Sequence, residues 1–279
     1  VFVVDGNTGT KNIKFTDLFS SLINQETKYN MGNETVLSAI NKLYNYYQTL
    51  AARYTISDNA GAHNSLFRGK NLGSTFTAGM SSSIQNGTFK DIFVGDYFIM
   101  DSIIYRVAGC NLLDKTTYGN NLCLVADTTV GTAKMNNSDT TSSGYADSIM
   151  RSTNISSIQS KIILAFNQSH VISYTDNLTN TVSNGKVTAV VSKSCTVELM
   201  SETMIFGTNN WSTSGLEAGS INSQFPLFAL APEYKFISAD YWLRNVVDAS
   251  KFEIVNQSGI PTSSNASATL GIRPFFFIK

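Results

Sequence analysis

Charge is scarce in this sequence. Only 14% of its 279 residues are Asp, Glu, Lys or Arg, and 20 basic side chains balance 20 acidic ones. Nucleic-acid binding needs a basic excess to meet phosphates, and there is none. Capture at an anionic membrane surface fails on the same ground. No run of 18 apolar residues occurs, so no membrane span is expected. Histidine is reduced to His63 and His170, and cysteine to Cys110, Cys123 and Cys195. The cysteine count is odd and no CxxC occurs. Buried free thiols are therefore expected, with a Cys110–Cys123 bridge across a hairpin as the alternative. Walker A, dinucleotide-binding, HExxH, EF-hand and GxSxG patterns are all missing. DGNTGTKN at 5–12 has the opening spacing of a calcium loop without its later acidic ligand, and it reads as a turn. No metal, cofactor or catalytic residue is expected. The first residue is Val1 rather than Met, which suggests a fragment or processed form.

Uncharged polarity takes the place of charge. Asn, Ser and Thr number 27, 34 and 28, and 42% of residues are hydrophobic. That mixture builds a core and covers it with short hydrogen-bonding side chains, which suit strands and turns better than long exposed helices.

Three segments are expected: an attachment or oligomerisation segment over 1–60, a connector over 61–82 and a folded domain over 83–279. In the first, Val36, Ile40, Leu43, Tyr47 and Leu50 recur at 4, 3, 4, 3. This heptad stripe predicts a helix over 33–54 and association between copies of the chain, a trimer being one form. The second is punctuated by Gly61, Gly69 and Gly73.

In the third, VGDYFIM and IIYRVAG flank Asp101-Ser102 and predict a hairpin. Asn184-Gly185 predicts another within 179–192. NLCLVADTTV reads as a strand. Ile155, Ile158, Ile162, Ile163 and Phe166 predict a helix capped by Asn154. Val197, Met200 and Met204 predict a second helix over 195–207, stopped by Gly207. FPLFALAP should pack irregularly, broken by Pro226 and Pro232. YWLRNVV, FEIVN and GIRPFFFI read as strands. The apolar end of the chain must be held in a sheet, since ordinary termini are polar and fray.

Few residues invite chemistry. His170 reads as the satisfied end of a helix; a triad with Asp176 and either Cys195 or a serine is the alternative. Glu198 and Glu202 fall i,i+4 on the expected helix, and Asp96 and Asp101 form a second acidic pair. Arg244 and Arg273 sit beside aromatics and need a carboxylate or carbonyls to offset desolvation, with Glu198, Glu202, Asp96 and Asp240 as rival partners. On alternation, Arg244 shares the face of Trp242. Arg151, Glu198, Trp242, Arg244 and Arg273 are therefore read as structural. Contact residues are sought in loops 111–120, 135–145, 208–224 and 256–268. The candidates there are Tyr118, Tyr145, Asn209, Asn210 and Trp211.

Four segments in order, GDYFIMDSIIYRVAG, GYADSIMRSTN, YWLRN and GIRP, resemble a C-type-lectin-like domain of tailed-phage virion structural proteins and related bacterial surface proteins. The family pattern G-Y-x-x-S-x-M/L-R matches Gly144, Tyr145, Ser148, Met150 and Arg151. W-L-R-S matches Trp242, Leu243 and Arg244, with Asn245 in place of serine, and G-V/I-R-P matches Gly271 to Pro274. The resemblance spans about 83–279. It implies an α+β, C-type-lectin-like fold of twisted antiparallel strands with two flanking helices, here preceded by an N-terminal helical segment. It also implies a fibre, tail or head appendage in a phage particle. Its partners would be other virion proteins and, for display, a host surface glycan or protein. A purely architectural decoration or connector and a bacterial surface adhesin are the alternatives; a hydrolase is not expected. The EPN and WND elements of calcium-dependent sugar binding are missing, so that activity is not expected either.

Overall fold

Among the described residues the first pairing is a two-residue antiparallel ladder, β1 (Asn30–Met31) against β2 (Glu34–Thr35). The structure is a computed structural model. It describes residues 58–209 and 215–279, together with 30–31, 34–35, 38, 40–42 and 44–45. The chain divides into two units, Val1–Ile56 and Ser57–Lys279. In the first, Ile40 of the heptad stripe is helical and half-buried; the other four stripe positions lie outside the described residues.

The second unit begins with α1 (Ala60–His63), β3 (Asn71–Gly73) and α2 (Ala78–Gln85). Residues 61–82 are therefore folded elements of this unit rather than a connector. Side-chain oxygens of Asn59 and Thr77 cap the two helices, which lets short polar segments hold helical form. Next come β4 (Tyr97–Met100), β5 (Ile103–Cys110), α3 (Lys115–Tyr118), β6 (Leu122–Ala126) and β7 (Thr132–Ala133). A π-helical turn, Met150–Ile155, runs into α4 (Ser156–Phe166). Asn154 lies inside this turn and caps nothing. The hairpin of β8 (Tyr174–Ser183) and β9 (Lys186–Cys195) follows, then β10 (Val197–Leu199), α5 (Glu202–Phe206) and α6 (Pro226–Leu230). The chain closes with β11 (Tyr241–Val246), β12 (Lys251–Val255), β13 (Pro261–Asn265), β14 (Leu270–Gly271) and β15 (Pro274–Ile278).

Sheets dominate this mixed α+β unit. One has the order β10-β15-β6-β5-β4-β3 and the other β13-β12-β11-β14-β7. Two-residue turns fix the register of both hairpins. Asp101 and Ser102 take φ of 49° and 66°, and Asn184 and Gly185 take 49° and 73°, the left-handed pair that matches strand twist. Pro274 sits at the start of β15, where its missing N–H is tolerated. All five residues of β15 are buried between β10 and β6. On one face Phe276 meets Phe166 of α4 at 5.2 Å between ring centroids. On the other, Phe275 meets Phe225 and Phe277 meets Tyr174. Each such ring contributes about 1.5–3 kcal/mol by leaving water.

Two further expectations need correction. The helix expected over 195–207 is only α5; its first half is strand, so Glu198 lies on β10 and is not a helical neighbour of Glu202. Pro226 starts a helix rather than breaking one, because at the first turn its missing N–H costs nothing. The three cysteines are buried and free. Among the described residues no helix is long and apolar enough to cross a membrane.

Candidate functional site

Residues of the four motif segments lie buried at separate places in the second unit. Gly144 packs against the backbone of β8, and Tyr145 follows it fully buried. The Tyr145 hydroxyl donates to Glu198 Oε2 at 2.7 Å, and Arg151 Nε donates to Glu198 Oε1 at 2.9 Å. Glu198 is 1% exposed, so both its oxygens are matched where water is absent. Its cationic partner is thus Arg151, not Arg244 or Arg273. Arg244 instead crosses to Asp176 on β8, with Nη1 to Oδ2 at 2.7 Å and both side chains buried. Asp176 also accepts from Ser220 N–H, and despite its burial the guanidinium and amide hold its carboxyl below the usual range. Asn245 accepts Glu202 N–H at 2.8 Å.

Arg273 marks the crossing from β14 in one sheet to β15 in the other. It is fully buried and has no carboxylate partner among the described residues. Nε donates to Ala126 carbonyl, Nη1 donates to Lys235 carbonyl and the Tyr241 hydroxyl, and the Phe228 and Tyr241 rings flank it. Trp242 donates Nε1–H to Ala133 carbonyl on β7. Asp96 and Asp240 serve elsewhere: Asp96 pairs with Arg68, and Asp240 accepts Gln257 N–H. Asp101 lies in the β4–β5 turn.

The contact candidates scatter. Tyr145 is not on the surface at all. Its place in a polar loop suggested exposure, but the 135–145 segment is anchored by buried residues at both ends, Met135 and Asn136 at one and Gly144 and Tyr145 at the other. Tyr118 is half-buried and accepts Thr175 N–H. Asn209 is exposed and accepts the Thr203 hydroxyl. Asn210 and Trp211 lie outside the described residues. The middle of the 256–268 segment is β13 rather than free loop. His170 bonds through Nδ1 with Lys279 carbonyl and Ser81 hydroxyl, while Asp176 and Cys195 are engaged elsewhere, so no triad assembles. Burial pushes the Cys195 thiol up to about 12, which removes the thiolate a nucleophile needs. His63 is fully buried and stacked on Phe93 at 4.2 Å.

Sequence reading also missed a buried acidic group. Glu202, Glu217 and Glu253 are 0%, 3% and 0% exposed. Desolvation, reinforced by the other two carboxylates, raises Glu253 to about 10, so it is a neutral acid at pH 7. Among the described residues no group of three His, Cys, Asp or Glu is disposed to hold a metal.

Two of the clefts lined by described residues open to solvent. One, of about 230 Å³, lies beside the π turn over the Arg151–Glu198 pair. The other, of about 370 Å³, lies between β3, α2 and the turn at 89–92. Its floor is Leu72, Met80 and Ile92, and its rim carries Lys70, Lys90 and Asp91. Arg68 Nη1 and Lys70 Nζ both donate to the Asp91 carboxylate, at 2.6 and 2.5 Å, and Arg68 also pairs with buried Asp96. No local pattern could reveal these pairs, whose members stand 21 to 28 residues apart. Comparison with family models, with curated proteins and with solved structures gives no match for this chain.

Proposed function

We propose that this chain is a structural component of a tailed-phage particle, a fibre, tail or head appendage. In this reading its second unit is a C-type-lectin-like display domain with no catalytic role. One observation carries the proposal: the residues of the family-like segments are consumed inside the fold. Tyr145, Arg151, Arg244 and Arg273 each tie together elements far apart in the chain. A scaffold braced in this way presents its remaining surface as loops, which here are rich in Asn, Ser, Thr and Gly. That surface suits contact with other particle proteins and with a host surface glycan or protein. Association between copies would come through the first unit.

Electron microscopy with gold-labelled antibody against residues 57–279 tests the reading. Label on purified particles, at one defined position, is the expected result. Label on a bacterial envelope and none on particles would overturn it in favour of an adhesin.

A further inference from the structure

The cleft between β3 and α2 has a charge pattern that its own residues do not complete. Three charged side chains line it, Lys70, Lys90 and Asp91, and Arg68 links Asp91 to the buried Asp96 outside it. Arg68 spans both carboxylates, and Lys70 takes the second oxygen of Asp91. Lys90 is exposed and has no ion-pair partner among the described residues, so one positive charge is left over. The unmatched cation lies over an apolar floor.

The backbone is shaped to put it there. Phe89 and Asp91, on either side of Lys90, take φ of 50° and 58°. Left-handed geometry is costly for residues other than glycine, above all for a bulky aromatic, and it persists only where surrounding structure enforces it. Here the buried Phe89 ring holds one side and the Arg68–Asp91–Lys70 clamp holds the other. Beneath, Leu72 and Met80 are half-buried against the core and Ile92 is 1% exposed. The volume, about 370 Å³, falls in the range of small-ligand sites.

We infer that this cleft binds a small organic monoanion, a carboxylate on an apolar body, with the body on Leu72, Met80 and Ile92 and the charge on Lys90. A single leftover charge favours a monoanion, because a second negative charge would face Asp91. A cation is opposed by the unmatched charge of Lys90. A fully hydrated anion such as phosphate would leave the apolar floor unused. The inference is independent of the particle reading and stands or falls apart from it.

Titration of the full chain with benzoate, benzamide and inorganic phosphate, followed by NMR shifts of cleft amides, tests it. Benzoate is expected to bind with a Kd in the millimolar range, and benzamide and phosphate at least about fivefold more weakly. Lys90→Gln, at an exposed site with no ion-pair partner, should leave the melting temperature unchanged and reduce benzoate to the level of benzamide. Gly79→Leu should obstruct the mouth and weaken both aromatic probes. No benzoate shifts in the cleft, equal binding of benzoate and benzamide, or benzoate binding unaffected by Lys90→Gln would each overturn the assignment.

Discussion

Glu253 is the clearest case of a side chain whose environment decides its chemistry. On β12, fully buried, it lies near Glu202 on α5 and Glu217 on the turn Gly215–Ala218. Folded, it keeps its proton up to about pH 10; a free glutamate loses it near 4.5. Between those values the folded chain holds a proton that the unfolded chain has released. By linkage, the contribution of Glu253 to stability is fully present below about pH 4.5 and declines as pH rises towards 10. Glu253→Gln keeps the shape and removes the titration. Thermal melts at pH 5, 7 and 9 should therefore show a shallower decline in the variant, with a gain of several degrees at pH 9, at about 2–4 °C per kcal/mol for a domain of this size. Parallel curves for the two proteins would show that Glu253 is not the group holding the proton.

At the scale of elements, turn chemistry and continuous apolar runs were legible in the sequence, and contacts between distant elements were not. Asn184-Gly185 and Asp101-Ser102 announce hairpins because few residues tolerate paired left-handed φ. PFFFI announces a strand buried on both faces because nothing in it can face water. VELMSETM misleads, since Val197, Met200 and Met204 satisfy a helical period while the chain runs as strand up to Leu199. Residues 61–82 mislead in another way, because capped helices of four and eight residues look polar and loop-like. The apolar floor and cationic rim of the cleft were unreadable, as they unite three segments of which two lay in the supposed connector. Gly144 has a meaning that only packing reveals. Its φ is 60°, and a Cβ there would strike the Thr179 carbonyl on β8, which accepts Ala146 N–H while the Thr179 hydroxyl accepts Tyr145 N–H. Gly144→Ala should cost about 2–4 kcal/mol, against about 1 kcal/mol for Gly119→Ala, where φ is 76° and a Cβ would meet nothing within 4 Å. Urea unfolding midpoints measure both, and equal costs would mean that the 144–146 segment does not dock on β8 as described.

Across the whole molecule, the scarcity of charge and the placement of arginine belong to one design. The sequence has six arginines; Arg53 lies outside the described residues, and the other five are all engaged within the second unit. Arg106 pairs with Asp127 between the rings of Tyr97 and Tyr234, Arg151 joins the π turn to β10, and Arg244 joins β11 to β8. Planar guanidinium groups can cross an apolar interior while satisfying several acceptors, which lysine cannot do. Both large sheets, the links between them and every one of these ion pairs lie within Ser57–Lys279. That unit therefore contains what it needs to fold without the first 56 residues. Expressed alone, residues 57–279 should unfold in one cooperative transition and run as a monomer in light scattering at micromolar concentration. The full chain, with the heptad stripe over 36–50, should scatter as an oligomer under the same conditions. Buried pairs are poorly screened, so the melting temperature of residues 57–279 should also change little between low and high salt. A shortened chain that fails to fold would refute the independence of the second unit, and a full chain that stays monomeric would refute association through the first.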